Sequence, residues 1–175
     1  MTLSRNQPRE TVKSAKKRKA SSTQWLQRQL NDPFVIAARE AGLRSRAAFK
    51  LLQIDEKYGL LQRGQRVVDL GAAPGGWTQV AAERVGDTGT VVGIDLQEVE
   101  PVAGAILLVG DVTDTETDRR LREALEGPAD LVLSDMANAA IGHPATDHLR
   151  TVALAEMALD IARQLLRTDG GFVTK

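Results

Sequence analysis

V-V-D-L-G-A-A-P-G-G-W-T, running from Val67 to Thr78, decides the fold class of this chain. Val67, Val68 and Leu70 make a short apolar run, residues 71–76 are a loop of small residues, and residues 78–84 read as the opening of a helix. Strand, tight turn and helix in that order are how an open parallel sheet presents its ligand edge. Glycines at 71, 75 and 76 let a ligand approach bare backbone, and the following helix offers unpaired N–H groups and the positive end of its dipole. The G-x-G-x-x-G turn of dinucleotide sites is absent, because Ala72, Ala73 and Pro74 separate Gly71 from the glycine pair.

Downstream, residues 90–94 are a β-branched run ending at Asp95, residues 106–109 are another with Gly110 and Asp111 behind it, and residues 131–133 are a third, followed by Ser134, Asp135, Met136 and Ala137. Each carboxylate thus follows a strand at the ligand edge, and an acid at the end of the second strand suits the paired hydroxyls of a ribose. Residues 116–126 form a charged helix closed by Gly127 and Pro128. Thr146 or Asp147 caps a long helix with Leu154, Met157, Ala158, Ile161 and Leu165 on one face, stopped at Gly170 and Gly171, and residues 172–175 are the fifth strand. His143 and His148 lack a convincing carboxylate or cysteine partner and read as loop and cap residues, so no metal site is expected.

Upstream, Thr23 caps a short helix through Trp25, Leu26 and Leu30, and Asp32-Pro33 starts another that ends near Gly42. Ser45 caps a third, with Ala47, Ala48, Leu51, Leu52 and Ile54 at helical spacing before Gly59 stops it. Strands alternating with helices predict a doubly wound, mostly parallel α/β sheet, because parallel neighbours need crossover connections and the helices supply them.

A formal net charge of zero conceals an asymmetry: residues 1–50 hold 12 Lys and Arg against 3 Asp and Glu, leaving 11 and 20 for the rest, so the two parts carry +9 and −9. The basic part implies a polyanionic partner. Residues 1–22, with Lys16, Lys17, Arg18 and Lys19 and almost nothing apolar, are expected to be a disordered basic arm, and residues 23–175 one domain. With no cysteine there is no disulfide framework or thiolate zinc site, and with no long apolar run there is no spanning helix or signal peptide, so a cytoplasmic protein acting away from membranes is expected.

Taken together, S-S-T-Q-W-L (21–26), G-L-R-S-R-A-A-F-K (42–50), D-L-G-A-A-P-G-G-W (69–77), L-V-L-S-D-M-A (131–137) and G-G-F-V-T-K (170–175) resemble the FtsJ family of ribose 2'-O-methyltransferases from about Ser21 to Lys175. The nearest subgroup by this resemblance is the bacterial enzyme that methylates a uridine of 23S ribosomal RNA in the large (50S) subunit. The resemblance implies a Rossmann-like fold with strand order 3-2-1-4-5 and S-adenosylmethionine (SAM) as cofactor. It places Gly71, Gly75, Gly76, Trp77, Asp95, Asp111 and Asp135 around SAM, with Asp95 on the ribose and Asp111 at the adenine. Lys50, Asp135 and Lys175 become members of a Lys-Asp-Lys-Glu tetrad, with Lys175 as proton acceptor and the other two orienting the substrate. Arg44 and Arg46 join Lys16, Lys17, Arg18 and Lys19 as RNA contacts.

An unperturbed lysine, with a pKa of about 10.4, needs cationic neighbours or burial to serve as a base at neutral pH, and Lys50 facing Lys175 is expected to provide the first. Asn138 and Ala139 stand where the family usually has Pro-Asn, so the local turn is expected to differ. The family continues with another helix, two strands and the tetrad glutamate, so the domain is expected to be C-terminally incomplete, lacking its last strands, to fold poorly and to transfer methyl groups slowly or not at all. A monomer is expected. The competing readings are a catalytically impaired fragment that still binds RNA or SAM, and a ribose methyltransferase of transfer RNA or messenger caps.

Overall fold

A computed structural model describes Thr23, Gln27, residues 30–137 and residues 141–175. The expected arm at residues 1–22, with Lys16, Lys17, Arg18 and Lys19, lies outside the described residues, as do Trp25, Leu26, Asn138 and Ala139. The elements in chain order are α1 (Pro33–Glu40), α2 (Ala47–Tyr58), β1 (Arg66–Leu70), α3 (Gly76–Val85), a 3-10 turn (Gly86–Thr88), β2 (Thr90–Asp95), β3 (Ile106–Val109), α4 (Thr115–Leu125), β4 (Ala129–Ser134), α5 (Pro144–Leu165) and β5 (Leu166–Thr174). The five strands form one sheet in the order β3-β2-β1-β4-β5 with every pair parallel, as the resemblance implies.

The sheet is covered on both faces, which is why β1, β2 and β4 read as nearly unbroken apolar runs. Val67, Val91, Leu131 and Leu133 pack with Ala48, Leu51, Trp77 and Val80 of α2 and α3 on one face. Val68, Leu70, Val92, Ile94 and Val132 pack with Leu121 and Leu125 of α4 and Ala158, Ala162 and Leu165 of α5 on the other. Among the described residues no helix is long and apolar enough to cross a membrane.

Helix starts and stops follow local chemistry. The Asp32 carboxylate caps α1 by accepting from Phe34 N at 2.9 Å, and Gly59 ends α2 in the left-handed region. Three expectations need correction. Ser45 does not cap α2: Arg46 holds the cap position without a side-chain bond, while Ser45 Oγ is buried without a partner against Gly76. The long helix α5 begins at Pro144 behind His143, earlier than expected, because Asp147 turns its carboxylate back onto the amides of Ile141 and Gly142. It also ends earlier, at Leu165, and β5 starts at once. Leu166 pairs with Ala129, Arg167 Nε pairs with Asp130 at 2.5 Å, and the register then shifts so that Gly171 faces Leu131, which absorbs the left-handed Asp169.

Candidate active site

Register alone assembles the site. Leu70 lies beside Ile94 on β2 and Ser134 on β4, and Ser134 lies beside Thr174 on β5. The next residue of each strand therefore falls in one row along the carboxyl edge: Asp95, Gly71, Asp135 and Lys175. The ladder carries on past the strand ends, with Asp135 N donating to Leu70 O at 3.2 Å and Lys175 N to Ser134 O at 3.1 Å. Adjacent parallel strands sit about 4.8 Å apart, so the row spans roughly 14 Å.

A cavity of about 360 Å³ opens at this edge, lined by Gly71, Ala73, Asp95, Asp111 and Asp135 on its polar side. Leu96, Val112, Met136 and Met157 supply much of its apolar wall. Asp95 is locked by accepting from Ala73 N at 2.9 Å and Gln97 N at 2.8 Å. The hydroxyl and then the amide of Thr113 hold the Asp111 carboxyl below its ordinary range. The Lys175 ammonium donates to Asp135 Oδ1 at 2.5 Å.

Gly71 is the glycine of the cavity wall where a side chain could not fit. Its φ is +79°, and a Cβ there would come within 2.9 Å of Met136 Cα and 3.0 Å of Met136 N, backbone atoms that cannot swing away. Gly71→Ala is expected to lower the melting temperature by several degrees and to weaken ligand binding at the edge at least tenfold, as thermal unfolding and calorimetry would register. A variant with both values unchanged would contradict this packing.

Other nominated residues lie apart from the cavity. Gly75 caps α3 with φ at +100° and Gly76 begins it. The Trp77 ring is buried in the core, with Nε1 donating to Ala47 O at 2.8 Å. Lys50 stands on the exposed face of α2. Arg44 donates to the carbonyls of Glu100 and Pro101, and Arg46 pairs with Asp32, so both guanidinium groups have partners within the protein.

Sequence reasoning passed over Asp69, which is fully buried in β1. Thr78 Oγ1 donates to its Oδ2 at 2.6 Å, while Oδ1 has no partner. Gly93, its neighbour on β2, leaves the room this pair needs, since a Cβ there would meet Thr78 Oγ1 at 3.0 Å. Burial first, then the charges of Asp135 and Asp95, push Asp69 up to about 7 despite the Thr78 bond. An acid inside an otherwise apolar strand was the available signal. Among the described residues no cluster of three or more His, Asp or Glu is arranged to hold a metal ion. The site is therefore an apolar slot ending in carboxylates at the topological switch of a parallel sheet, suited to a nucleoside with a cationic end.

Comparison with known proteins follows the same line. Residues 43–175 match the model of the FtsJ-like methyltransferase family. The chain is 60% identical over 164 residues to ribosomal RNA large subunit methyltransferase E of Acidiphilium cryptum, covering 94% of this chain and 72% of that one. It is 53% identical over 175 residues to the protein of the same name in Novosphingobium aromaticivorans, covering 100% and 78%. A solved structure described as a ribosomal RNA methyltransferase of Plasmodium falciparum superposes with a TM-score of 0.67 at 30% identity, covering 74% of this chain and 76% of that one.

Proposed function

This chain belongs to the FtsJ-like methyltransferase family, and from that premise we propose that it methylates a ribose 2'-hydroxyl of 23S ribosomal RNA with SAM as donor, in the cytoplasm. The observation that carries the choice of donor is the set of carboxylates around one cavity. Asp95 and Asp111 stand at successive strand ends beside an apolar slot and Asp135 lines it from the end of β4, while Asp69, buried in β1 with one carboxylate oxygen lacking a partner, is coupled by charge to Asp135 and Asp95. SAM fits those residues: its sugar hydroxyls suit Asp95, its adenine suits the slot by Asp111, and its positive charge suits the acidic end.

When bound, SAM supplies an electrophilic methyl group on a sulfonium. The work of the chain is to bring a ribose oxygen in line with that methyl and to take the hydroxyl proton. Lys175 Nζ is the proton acceptor in this reading. Asp135 fixes it in place through the bond already present, and Lys50 orients the RNA from α2. Gly71 keeps a side chain out of the cavity wall beside Met136, Gly75 and Gly76 let the start of α3 pack closely on Arg44 and Ser45, and Met136 and Met157 give the slot an apolar wall.

Titration calorimetry with SAM and with NAD tests the donor, because an acid after the second strand is common to both kinds of site. SAM should bind, NAD should not, and Asp95→Ala should weaken SAM about tenfold or more through loss of charge-assisted hydrogen bonds. Preference for NAD, or full SAM affinity in the variant, would overturn the assignment.

A further inference from the structure

Few aromatic residues are present in this chain, yet two of its three phenylalanines meet at the surface. The Phe34 and Phe49 rings lie 6.5 Å apart, inclined at 60°, and Phe34 is 48% exposed. Phe34 is also held in place: one carboxylate oxygen of Asp32 accepts its amide and the other pairs with Arg46 on α2. Arg46, Lys50, Gln53 and Lys57 follow at helical spacing on the exposed face of α2. At the far end of that face Lys57 Nζ sits 4.7 Å from the centre of the Tyr58 ring, which is 62% exposed. Residues 49 and 58 are about 13 Å apart along the helix.

We propose that Phe34, backed by Phe49, is a stacking platform for an unpaired base of the substrate RNA, and that Lys50 and Lys57 guide the strand along α2 toward the reaction site. The proposal rests on the RNA methyltransferase reading above. Sequence-specific and single-stranded RNA is held by bases laid on aromatic rings with cations along the phosphates, and α2 offers both on one exposed face. Charge favours the same occupant, since Lys50 and Lys57 are exposed on this face while the carboxylates Asp95, Asp111 and Asp135 line the cavity kept for the donor. Stacking needs a flat ring, whereas packing needs only apolar bulk, and that difference makes the proposal testable.

Fluorescence anisotropy of a short, labelled, single-stranded oligouridylate, titrated with the full chain, measures the platform. Calorimetry with SAM and thermal unfolding accompany it. Phe34→Ala should bind the RNA about tenfold more weakly, with SAM affinity and melting temperature unchanged. Phe34→Tyr should bind like the parent and Phe34→Leu like the alanine variant. Should Phe34→Ala prove unstable, the tyrosine and leucine variants still separate a flat ring from apolar bulk. Leucine restoring full affinity, or alanine losing none, overturns the platform while leaving the methyltransferase reading intact. An unsubstituted chain that binds SAM but not oligouridylate overturns both the platform and the choice of RNA as substrate.

Discussion

Lys175→Arg should abolish methyl transfer as completely as Lys175→Ala, with rates about a thousandfold below the parent chain, the range expected when a positioned proton acceptor is removed. The arginine variant is the informative one. A guanidinium can keep the ion pair that Lys175 makes with Asp135, but it stays protonated at any working pH and cannot take a proton from a ribose hydroxyl. SAM affinity by calorimetry should stay within about threefold in the arginine variant, because Lys175 lies outside the cavity lining. The assay follows labelled methyl transfer into large-subunit ribosomal RNA that lacks the modification. If arginine retained substantial activity, Lys175 would serve as a positive charge that positions RNA, and the proton acceptor would have to be sought elsewhere.

Much of this arrangement was legible because the sheet is parallel and buried on both faces. Such strands are short apolar runs, each must stop where the chain turns back through a helix, and their ends share one edge. Asp95, Asp111 and Asp135 each stand within two residues after such a run, so their common edge could be read without knowing a single contact. Lys175 beside Asp135 was a matter of register, which apolar runs leave open and which the Ser134 to Thr174 pairing settles. The boundary between α5 and β5 was not legible. Leu165 and Leu166 look alike as apolar residues, and only the pairing of Leu166 with Ala129 and the Arg167 to Asp130 ion pair separates helix from strand.

Side-chain direction was the other gap. The resemblance places Trp77 around SAM, whereas in the structure its ring is buried in the core with its N–H bound to Ala47 O of α2. Ser45 before a helical run suggested a cap, yet its hydroxyl is turned toward Gly76. Both depend on how α2 lies over the start of α3, and a tertiary contact between residues 30 apart leaves no periodic trace in either segment.

Asp69→Asn should raise stability at pH 8 and leave it nearly unchanged at pH 4. In the folded chain Asp69 titrates at about 7, against 3.8 for the free group, so between these values the native state holds a proton that the unfolded chain has released. Stability therefore falls as pH rises from about 4 to 7 and then levels off, and the full displacement corresponds to at most about 4 kcal/mol at pH 8. Asparagine keeps an oxygen for the Thr78 hydroxyl and removes the charge, so this part of the pH dependence should disappear. Denaturant unfolding of parent and variant from pH 4 to 8 measures the difference, which should widen with pH. A parallel pair of curves would mean that Asp69 is ionised throughout and stabilised by something other than Thr78. The cost at neutral pH also bears on function, because a buried anion crowded by Asp135 and Asp95 is relieved by a cation. SAM affinity should accordingly rise between pH 5 and 7 in the parent, with a proton released on binding, and should lose that dependence in the asparagine variant. A cation held beside Asp135 and Asp95, which line the cavity, is then expected to ease ionisation of the buried Asp69.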